Sequence, residues 1–340
     1  GFDEWVSATN FIDMDPWLGR KGVPEKLTGD SSELIVSEAV KFLEKHRATG
    51  KPMFAVIWYG TPHSPFRASD ADKAPFAQLN EASANHHGEL VAMDRSIGTL
   101  RKKLRDLGLA DNTMLVFCSD NGGLPEIKPN TTGGLRANKG QVYEGGLRVP
   151  GIIEWPAVIK QPRVTSHPAS TMDLFPTVAD IVGLPASSFI QPVDGVSLKP
   201  LFTAETGPRA QPIGFRFSAK TALVDNRHKI LANNLKSGPF EVYDLEADPH
   251  ETKDLSAAQT ELFERMKKQL LAFNDSVDAS FAGKDYPEGK VTPPDPESIS
   301  WLDAERYQKW LPQWKDYWAY KTYMDRAAKA VKKPGKKQKP

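Results

Sequence analysis

The sequence predicts an α/β protein with a mostly parallel sheet flanked by helices, followed by a small C-terminal α+β domain with an antiparallel sheet. Helix-like segments alternate with fully apolar strand-like runs in the first part of the chain, which is typical of a parallel sheet covered on both faces. Beyond residue 201, short strand-like runs follow one another with polar turns between them, which indicates an antiparallel meander. We therefore predict a main domain at 1–205, a small domain at 206–280 and a Pro-, aromatic- and Lys-rich extension at 281–340.

Three segments of the main domain are predicted as helices, because their apolar side chains recur every three or four residues. The first spans 31–47, and Asp30 can cap its N-terminus. The second spans 82–107 and stops at Gly108, a common C-terminal signal. A third helix is expected to begin near Asp173 and to close the domain.

Apolar runs between these helices are predicted as buried strands, at 53–59, 113–118 and 149–155. In the small domain we expect four short strands and one covering helix, at 213–218, 221–225, 229–232, 240–245 and 258–274. The aromatic stripe at 307–318 of the extension is expected to pack on the main domain rather than to stack on sugar rings.

Composition excludes several classes of protein. The chain has 340 residues, 39% of them hydrophobic and 26% charged, which suits a globular protein with room for two domains. The net charge of +1 is too small to attract nucleic acid electrostatically, so we predict no nucleic-acid partner. The apolar runs are strand-sized, far below the ~20 residues of a membrane helix, so we predict no membrane span. Cys118 is the one cysteine and lies in an apolar strand, which predicts an inert core thiol.

Asp120 and Asn121 follow the strand predicted at 113–118. Open α/β sheets hold ligands at the carboxyl ends of their strands, and carboxylate and amide oxygens suit a hard cation such as Ca²⁺ or Mg²⁺. The alternative is a hairpin turn at Asn121-Gly122, but the residues after it do not alternate as a second strand would. Two ligands cannot complete a shell of about 6–8 oxygens, so other ligands must come from elsewhere.

Lys139 and His63 are the other two candidate site residues. Lys139 lies in a glycine-rich loop and could place its charge against a sulfate or phosphate oxygen; the alternative is a solvated surface lysine. His63 directly follows the strand predicted at 53–59, between two prolines that fix the backbone. It could protonate a leaving group or contact an oxyanion; the alternative is a loop histidine bonded to backbone.

Four ordered segments, within about residues 1–275, carry a resemblance to a known family. They are the Gly-Thr-Pro-His-Ser-Pro loop at 60–65, the helix, strand and Ser-Asp-Asn-Gly loop at 93–122, the lysine loop at 138–150 and the Tyr-Asp-Leu motif at 242–255. In this order they resemble the type I sulfatases of the alkaline-phosphatase superfamily. The resemblance implies an alkaline-phosphatase-like fold and a sulfuric ester hydrolase similar to arylsulfatases.

The resemblance also implies roles for the four candidate residues. Asp120 and Asn121 would bind Ca²⁺, in preference to Mg²⁺, and Lys139 would bind the sulfate. His63 would contact sulfate or protonate the departing oxygen. The expected substrate is a sulfated small molecule or glycan, and the expected location is periplasmic, secreted or lysosomal, as in the family.

The sequence departs from the family in one respect that matters for activity. The family makes its formylglycine nucleophile from Cys or Ser in Cys/Ser-x-Pro-x-Arg, and this chain contains no such motif; the nearest approach, at 63–67, has histidine in the nucleophile's place. The strand with two metal-binding aspartates is also not found. We therefore interpret the chain as a fragment, with the formylglycine expected in a missing N-terminal segment, and predict little activity for it alone. Two alternatives stay open: a phosphoester or phosphonate hydrolase of the same superfamily, and a non-catalytic remnant that binds sulfated glycans.

Overall fold

A computed structural model describes residues 1–8, 14–285, 303–315, 317, 320–321 and 324–325. The chain divides into two compact units, one formed by Gly1–Gly108 with Pro293–Pro340 and the other by Leu109–Thr292. The domain boundaries predicted after residues 205 and 280 do not coincide with this division and stay predictions. Within the described residues, no helix is long and apolar enough to cross a membrane.

The first unit contains a small antiparallel sheet and two long helices. The sheet consists of β1 (Val6–Ser7), β2 (Trp17–Arg20) and β3 (Val23–Lys26). Three helices follow it: α1 (Ser31–His46), α2 (Asp70–Lys73) and α3 (Glu81–Asp106). The Asp30 side chain accepts a hydrogen bond from Ser32 N at 2.8 Å, which caps α1 as predicted. Val36 and Val40 of α1 are buried, as are Leu100 and Leu104 of α3, and the two helices pack together. Both predicted helices are therefore confirmed.

The described part of the aromatic stripe lies in the same unit. A six-residue 3₁₀ turn, Glu305–Trp310, leads into the short helix α7, Leu311–Trp314. The Trp314 ring is buried, and its centroid lies 5.9 Å from that of Trp17 in an edge-to-face contact. The stripe therefore packs on a strand of the main domain, as expected from its sequence.

The second unit begins with a strand pair that leads to the candidate site. β4, Leu115–Cys118, pairs antiparallel with β5, Gly151–Glu154, and the one-turn helix α4, Glu144–Leu147, lies between them in sequence. The helix predicted near Asp173 is α5, Leu174–Ile181.

The C-terminal sheet has the order β6-β7-β8-β9 and is antiparallel throughout, as predicted. The strands are β6 (Ile213–Phe217), β7 (Lys220–Asp225), β8 (His228–Ala232) and β9 (Phe240–Asp244). The helix α6 (Thr260–Phe281) covers the sheet. One face, with Ile230 and Val242, packs on Met266 of α6. The other face, with Leu231, packs on Val142 of the lysine loop. The sheet therefore supports the lysine loop directly.

Two expectations about the main domain are wrong for the described residues: the strand at 53–59 and the buried thiol of Cys118. The run 53–59 forms no strand, and Phe54 and Trp58 are 63% and 85% exposed, because no described strand pairs with this run. Every strand pair that is described is antiparallel, so the mostly parallel pairing is not seen there. Cys118 is exposed rather than buried: it ends β4 opposite Gly151, which has no side chain to cover it.

Candidate functional site

Asp120 and Asn121 lie side by side just beyond the end of β4. The Asn121 side-chain amide donates a hydrogen bond to the Asp120 carboxylate. Ser119 Oγ donates to the Asn121 carbonyl at 3.1 Å and so holds the turn. Asp120 is exposed and Asn121 is half-buried, so their oxygens remain accessible to a ligand. The strand therefore places the two predicted ligands next to each other.

The backbone of this turn is joined to the lysine loop at two points. Gly122 N donates to Gly146 O at 3.0 Å, and Lys139 N donates to Gly123 O at 2.9 Å. A Cβ atom on Gly122 would lie 1.9 Å from Gly145 O, so only glycine allows the two segments to approach this closely. The turn that carries Asp120 and Asn121 and the loop that carries Lys139 are therefore brought together.

The lysine itself is exposed at the tip of its loop. Gln141 N donates to Asn138 O at 3.1 Å, and Gly140 has a φ of +82°, a conformation that favours glycine. No ion-pair partner for the Lys139 ammonium is found within the part of the chain that the structure describes. The side chain is therefore available to an anion.

A buried ion-pair cluster ties the lysine loop to the C-terminal sheet. Lys229 Nζ lies 2.9 Å from a carboxylate oxygen of Glu144 and 2.9 Å from one of Glu251. Lys229 and Glu251 are fully buried, and Glu144 N donates to the Glu251 carboxylate at 2.7 Å. Burial raises the pKa of the Glu251 carboxyl, and the Lys229 charge opposes that rise. Three charged groups thus fix the start of α4.

Arg136 joins the other end of the loop to the same sheet. Its guanidinium donates to the Tyr243 hydroxyl at 2.8 Å and to the Glu251 carbonyl at 2.9 Å, and it lies 4.0 Å from the centroid of the Tyr143 ring. The Tyr143 hydroxyl donates to the Glu241 carboxylate at 2.8 Å. Burial raises the pKa of the Tyr243 hydroxyl, and the neighbouring Glu241 carboxylate adds to the rise. The loop is therefore held at both ends by the sheet.

His63 lies in the first unit, in a loop that is held by hydrogen bonds within that unit. Its backbone N donates to Gly60 O at 2.9 Å, and its ring Nδ1 lies 2.7 Å from Ser64 O. Upstream, the buried Thr61 hydroxyl lies 3.1 Å from the Ser32 hydroxyl at the start of α1. The peptide bonds before the prolines at 62 and 65 are cis. The ring contact with backbone fits both interpretations of this histidine, so its role stays a prediction.

The side-chain oxygens of Asp120 and Asn121 are the type of ligand that a hard cation binds, but two residues are too few to complete its coordination shell. Among the described residues, no group of three or more His, Cys, Asp or Glu side chains could hold a metal ion. The pair therefore supplies only part of a coordination shell.

Four residues that support the lysine loop were not among the candidates predicted from the sequence: Lys229, Glu144, Glu251 and Arg136. Two of them lie in motifs that carried the family resemblance, but a motif does not show which side chains meet. A partial signal was present on β8, where Lys229 and Leu231 are two residues apart and so share the face that meets the loop. Because Lys229 shares a buried face with Leu231, its charge indicates that a buried carboxylate must lie opposite it.

Two family models match the chain: Sulfatase over residues 1–184, and N-sulphoglucosamine sulphohydrolase, C-terminal, over residues 137–276. The chain belongs to the sulfatase family. A sulfatase of Formosa agariphila is 29% identical over 72% of this chain and 48% of its own length. The N-acetylgalactosamine-6-sulfatase of Canis lupus familiaris is 33% identical over 59% of this chain and 42% of its own length. The chain spans about half the length of these curated relatives.

The crystal structure of Ps i-CgsB in complex with k-i-k-neocarrahexaose is also similar. It matches with a TM-score of 0.72 and 27% identity, over 80% of this sulfatase chain and 66% of that chain. The resemblance is therefore confirmed, as is the predicted α/β fold class with a C-terminal sheet domain. Members of the family generally use a formylglycine and a divalent metal ion.

Proposed function

We propose that this sulfatase chain carries part of the active site of a Ca²⁺-dependent enzyme that hydrolyses sulfate esters. One observation carries the proposal: the Lys139 N to Gly123 O hydrogen bond, 2.9 Å long, joins the lysine loop to the turn that presents Asp120 and Asn121. A cationic side chain and two oxygen ligands thus belong to one local structure. The combination suits an anion bound beside a hard cation.

Each residue would have a defined role. Asp120 and Asn121 would supply two oxygen ligands to the metal ion, which when bound helps to neutralise charge on the sulfate. Lys139 would place its ammonium against the sulfate oxygens, where negative charge must be stabilised as the ester bond breaks. His63 would contact sulfate or give a proton to the departing oxygen. The nucleophile, a formylglycine in the family, is not assigned to any residue of this chain, which has no Cys/Ser-x-Pro-x-Arg.

The substrate class we propose is a sulfated carbohydrate. The neighbour Ps i-CgsB was crystallised with k-i-k-neocarrahexaose, and a curated relative is named N-acetylgalactosamine-6-sulfatase. Aryl sulfates are the corresponding small substrates, in keeping with the relative named arylsulfatase A. By the same analogy we propose a periplasmic, secreted or lysosomal location.

The test is a comparison of Lys139→Met with Lys236→Met in the full-length gene product, assayed on an aryl sulfate and an aryl phosphate. Lys236 is an exposed lysine of the same unit and serves as the matched control. We expect Lys139→Met to lower kcat/KM on the sulfate by about a hundredfold or more, the cost of losing one group that stabilises developing charge. Lys236→Met should match the wild type.

Two results would reject this function. Faster cleavage of the phosphate than of the sulfate by the wild type would favour the phosphoester or phosphonate hydrolase. Binding of a sulfated glycan without turnover of either ester would favour the non-catalytic binding protein.

A further inference from the structure

A second lysine contacts the lysine loop from the C-terminal sheet. Lys220 is the first residue of β7, and its Nζ donates a hydrogen bond of 2.7 Å to the carbonyl oxygen of Gly140, 80 residues away in the chain. Gly140 directly follows Lys139. Lys220 is half-buried, and no carboxylate forms an ion pair with it among the residues that the structure describes. The loop carbonyl is therefore the main contact of this ammonium.

Lys220 lies at the end of the β6–β7 hairpin that contacts Gly140 of the lysine loop. Phe217 and Lys220 are paired at the end of the β6–β7 ladder, with Ser218 in the turn at a φ of +57°. The Lys220 ammonium lies 5.8 Å from the centroid of the Phe217 ring. The ring edge in turn lies 3.8 Å from the position that a Cβ atom on Gly140 would occupy. Both side chains at the end of the hairpin therefore meet the loop at the same glycine.

We propose that Lys220 is a positioning residue for Lys139, an inference that rests on the proposed function of the lysine loop. The peptide group before Lys139 is held by its hydrogen bond to Gly123 O. The peptide group after Gly140 is held on its N–H side by Gln141 N donating to Asn138 O, and on its carbonyl side by Lys220. Between these two points lies a glycine at a φ of +82°, whose backbone can rotate more freely than that of any other residue. Lys220 therefore limits the rotation that would turn the Lys139 side chain away from its ligand.

The first experiment measures the loop itself, without any substrate. Hydrogen exchange of a peptide covering 138–147 is compared among the wild type, Lys220→Met, Lys220→Arg and the control Lys236→Met. Methionine keeps the length of the side chain but has no donor, whereas arginine keeps the charge and the donors. We expect Lys220→Met to raise exchange in this peptide about tenfold, the effect of losing one charge-assisted hydrogen bond. Lys220→Arg and Lys236→Met should remain close to the wild type.

The second experiment separates positioning from a merely structural contact. On an aryl sulfate, Lys220→Met should lower kcat more than it raises KM, and Lys220→Arg should restore kcat. Unchanged exchange in Lys220→Met would overturn the proposal, as would faster exchange with unchanged kcat. A wild-type enzyme that neither binds nor hydrolyses sulfate esters would instead refute the proposed function, and the positioning role would fall with it even if the exchange result held.

Discussion

The buried cluster around Lys229 has two carboxylates for one ammonium. Lys229 and Glu251 are fully buried, and Glu144 is nearly so. A buried charge is tolerated only when it is paired, because its transfer from water is costly. Removing different members of the cluster should therefore have unequal effects: loss of Lys229 leaves two unpaired carboxylates, whereas loss of the Glu251 charge leaves a balanced pair.

We predict that Lys229→Met lowers the free energy of unfolding by about 3–5 kcal/mol, the cost of breaking a buried ion pair. Glu251→Gln should cost clearly less, since Lys229 and Glu144 remain 2.9 Å apart. Urea unfolding of both variants, with Lys236→Met as the control, measures the difference. Equal losses for Lys229→Met and Glu251→Gln would contradict the charge argument.

The same cluster predicts a dependence of stability on pH. Burial raises the pKa of Glu251 above its ordinary value of 4.5, although Lys229 opposes the shift. A carboxyl whose pKa is higher in the folded state favours folding most at low pH, and this contribution is lost as pH rises through the folded pKa. We therefore expect the free energy of unfolding of the wild type, relative to Glu251→Gln, to be highest below the ordinary pKa of 4.5 and to fall as pH rises above it. A pH-independent difference between the two proteins would show that Glu251 keeps its ordinary pKa.

At the scale of elements, the site depends on two backbone segments that touch. A Cβ atom on Gly122 would lie 1.9 Å from Gly145 O, a rigid backbone atom that cannot move aside by a rotamer change. We predict that Gly122→Ala lowers the free energy of unfolding by about 1–3 kcal/mol, the usual cost of overpacking, and separates the two loops.

Gly98 is the matched control for that substitution. It is exposed within α3, and nothing lies within 4 Å of the position of an added Cβ atom. Gly98→Ala should raise the free energy of unfolding by about 0.5–1 kcal/mol, because alanine is the better helix former. Thermal and urea unfolding of both variants, with hydrogen exchange over 120–147, test the pair. A neutral Gly122→Ala would mean that the loops can part without cost.

Elements with local signals were predictable, and elements that depend on a neighbour were not. Helices α1 and α3 follow from the spacing of their apolar residues and from the cap at Asp30, and the β6–β9 meander follows from its polar turns. The strand predicted at 53–59 is wrong, because a strand exists only by pairing and no described strand pairs with this apolar run. The candidate residues could be named from the sequence, but not the buried partners that hold their loops, since Lys229 and Glu251 meet only through the sheet.

For the whole molecule, three of the four residues with a proposed role lie in the second compact unit. His63 belongs to the first unit, whereas Asp120, Asn121 and Lys139 belong to the second. The second unit contains both the loops that carry three of these residues and the sheet that anchors the lysine loop. The proposed metal and anion contacts of this unit can therefore be tested through the stability of the folded protein.

Metal binding should stabilise the folded protein, since a ligand that binds only the folded state adds about 2.7 kcal/mol at 100 times its Kd. We predict that Ca²⁺ raises the Tm of the full-length gene product, that EDTA reverses the rise, and that Mg²⁺ has a smaller effect because it requires a stricter octahedral geometry. Asp120→Asn should abolish the rise, whereas Asp111→Asn, which alters an exposed carboxylate of the same unit, should preserve it. An equal Ca²⁺ response in both variants would place the cation elsewhere, and no response in the wild type would remove Asp120 and Asn121 from the proposed metal site.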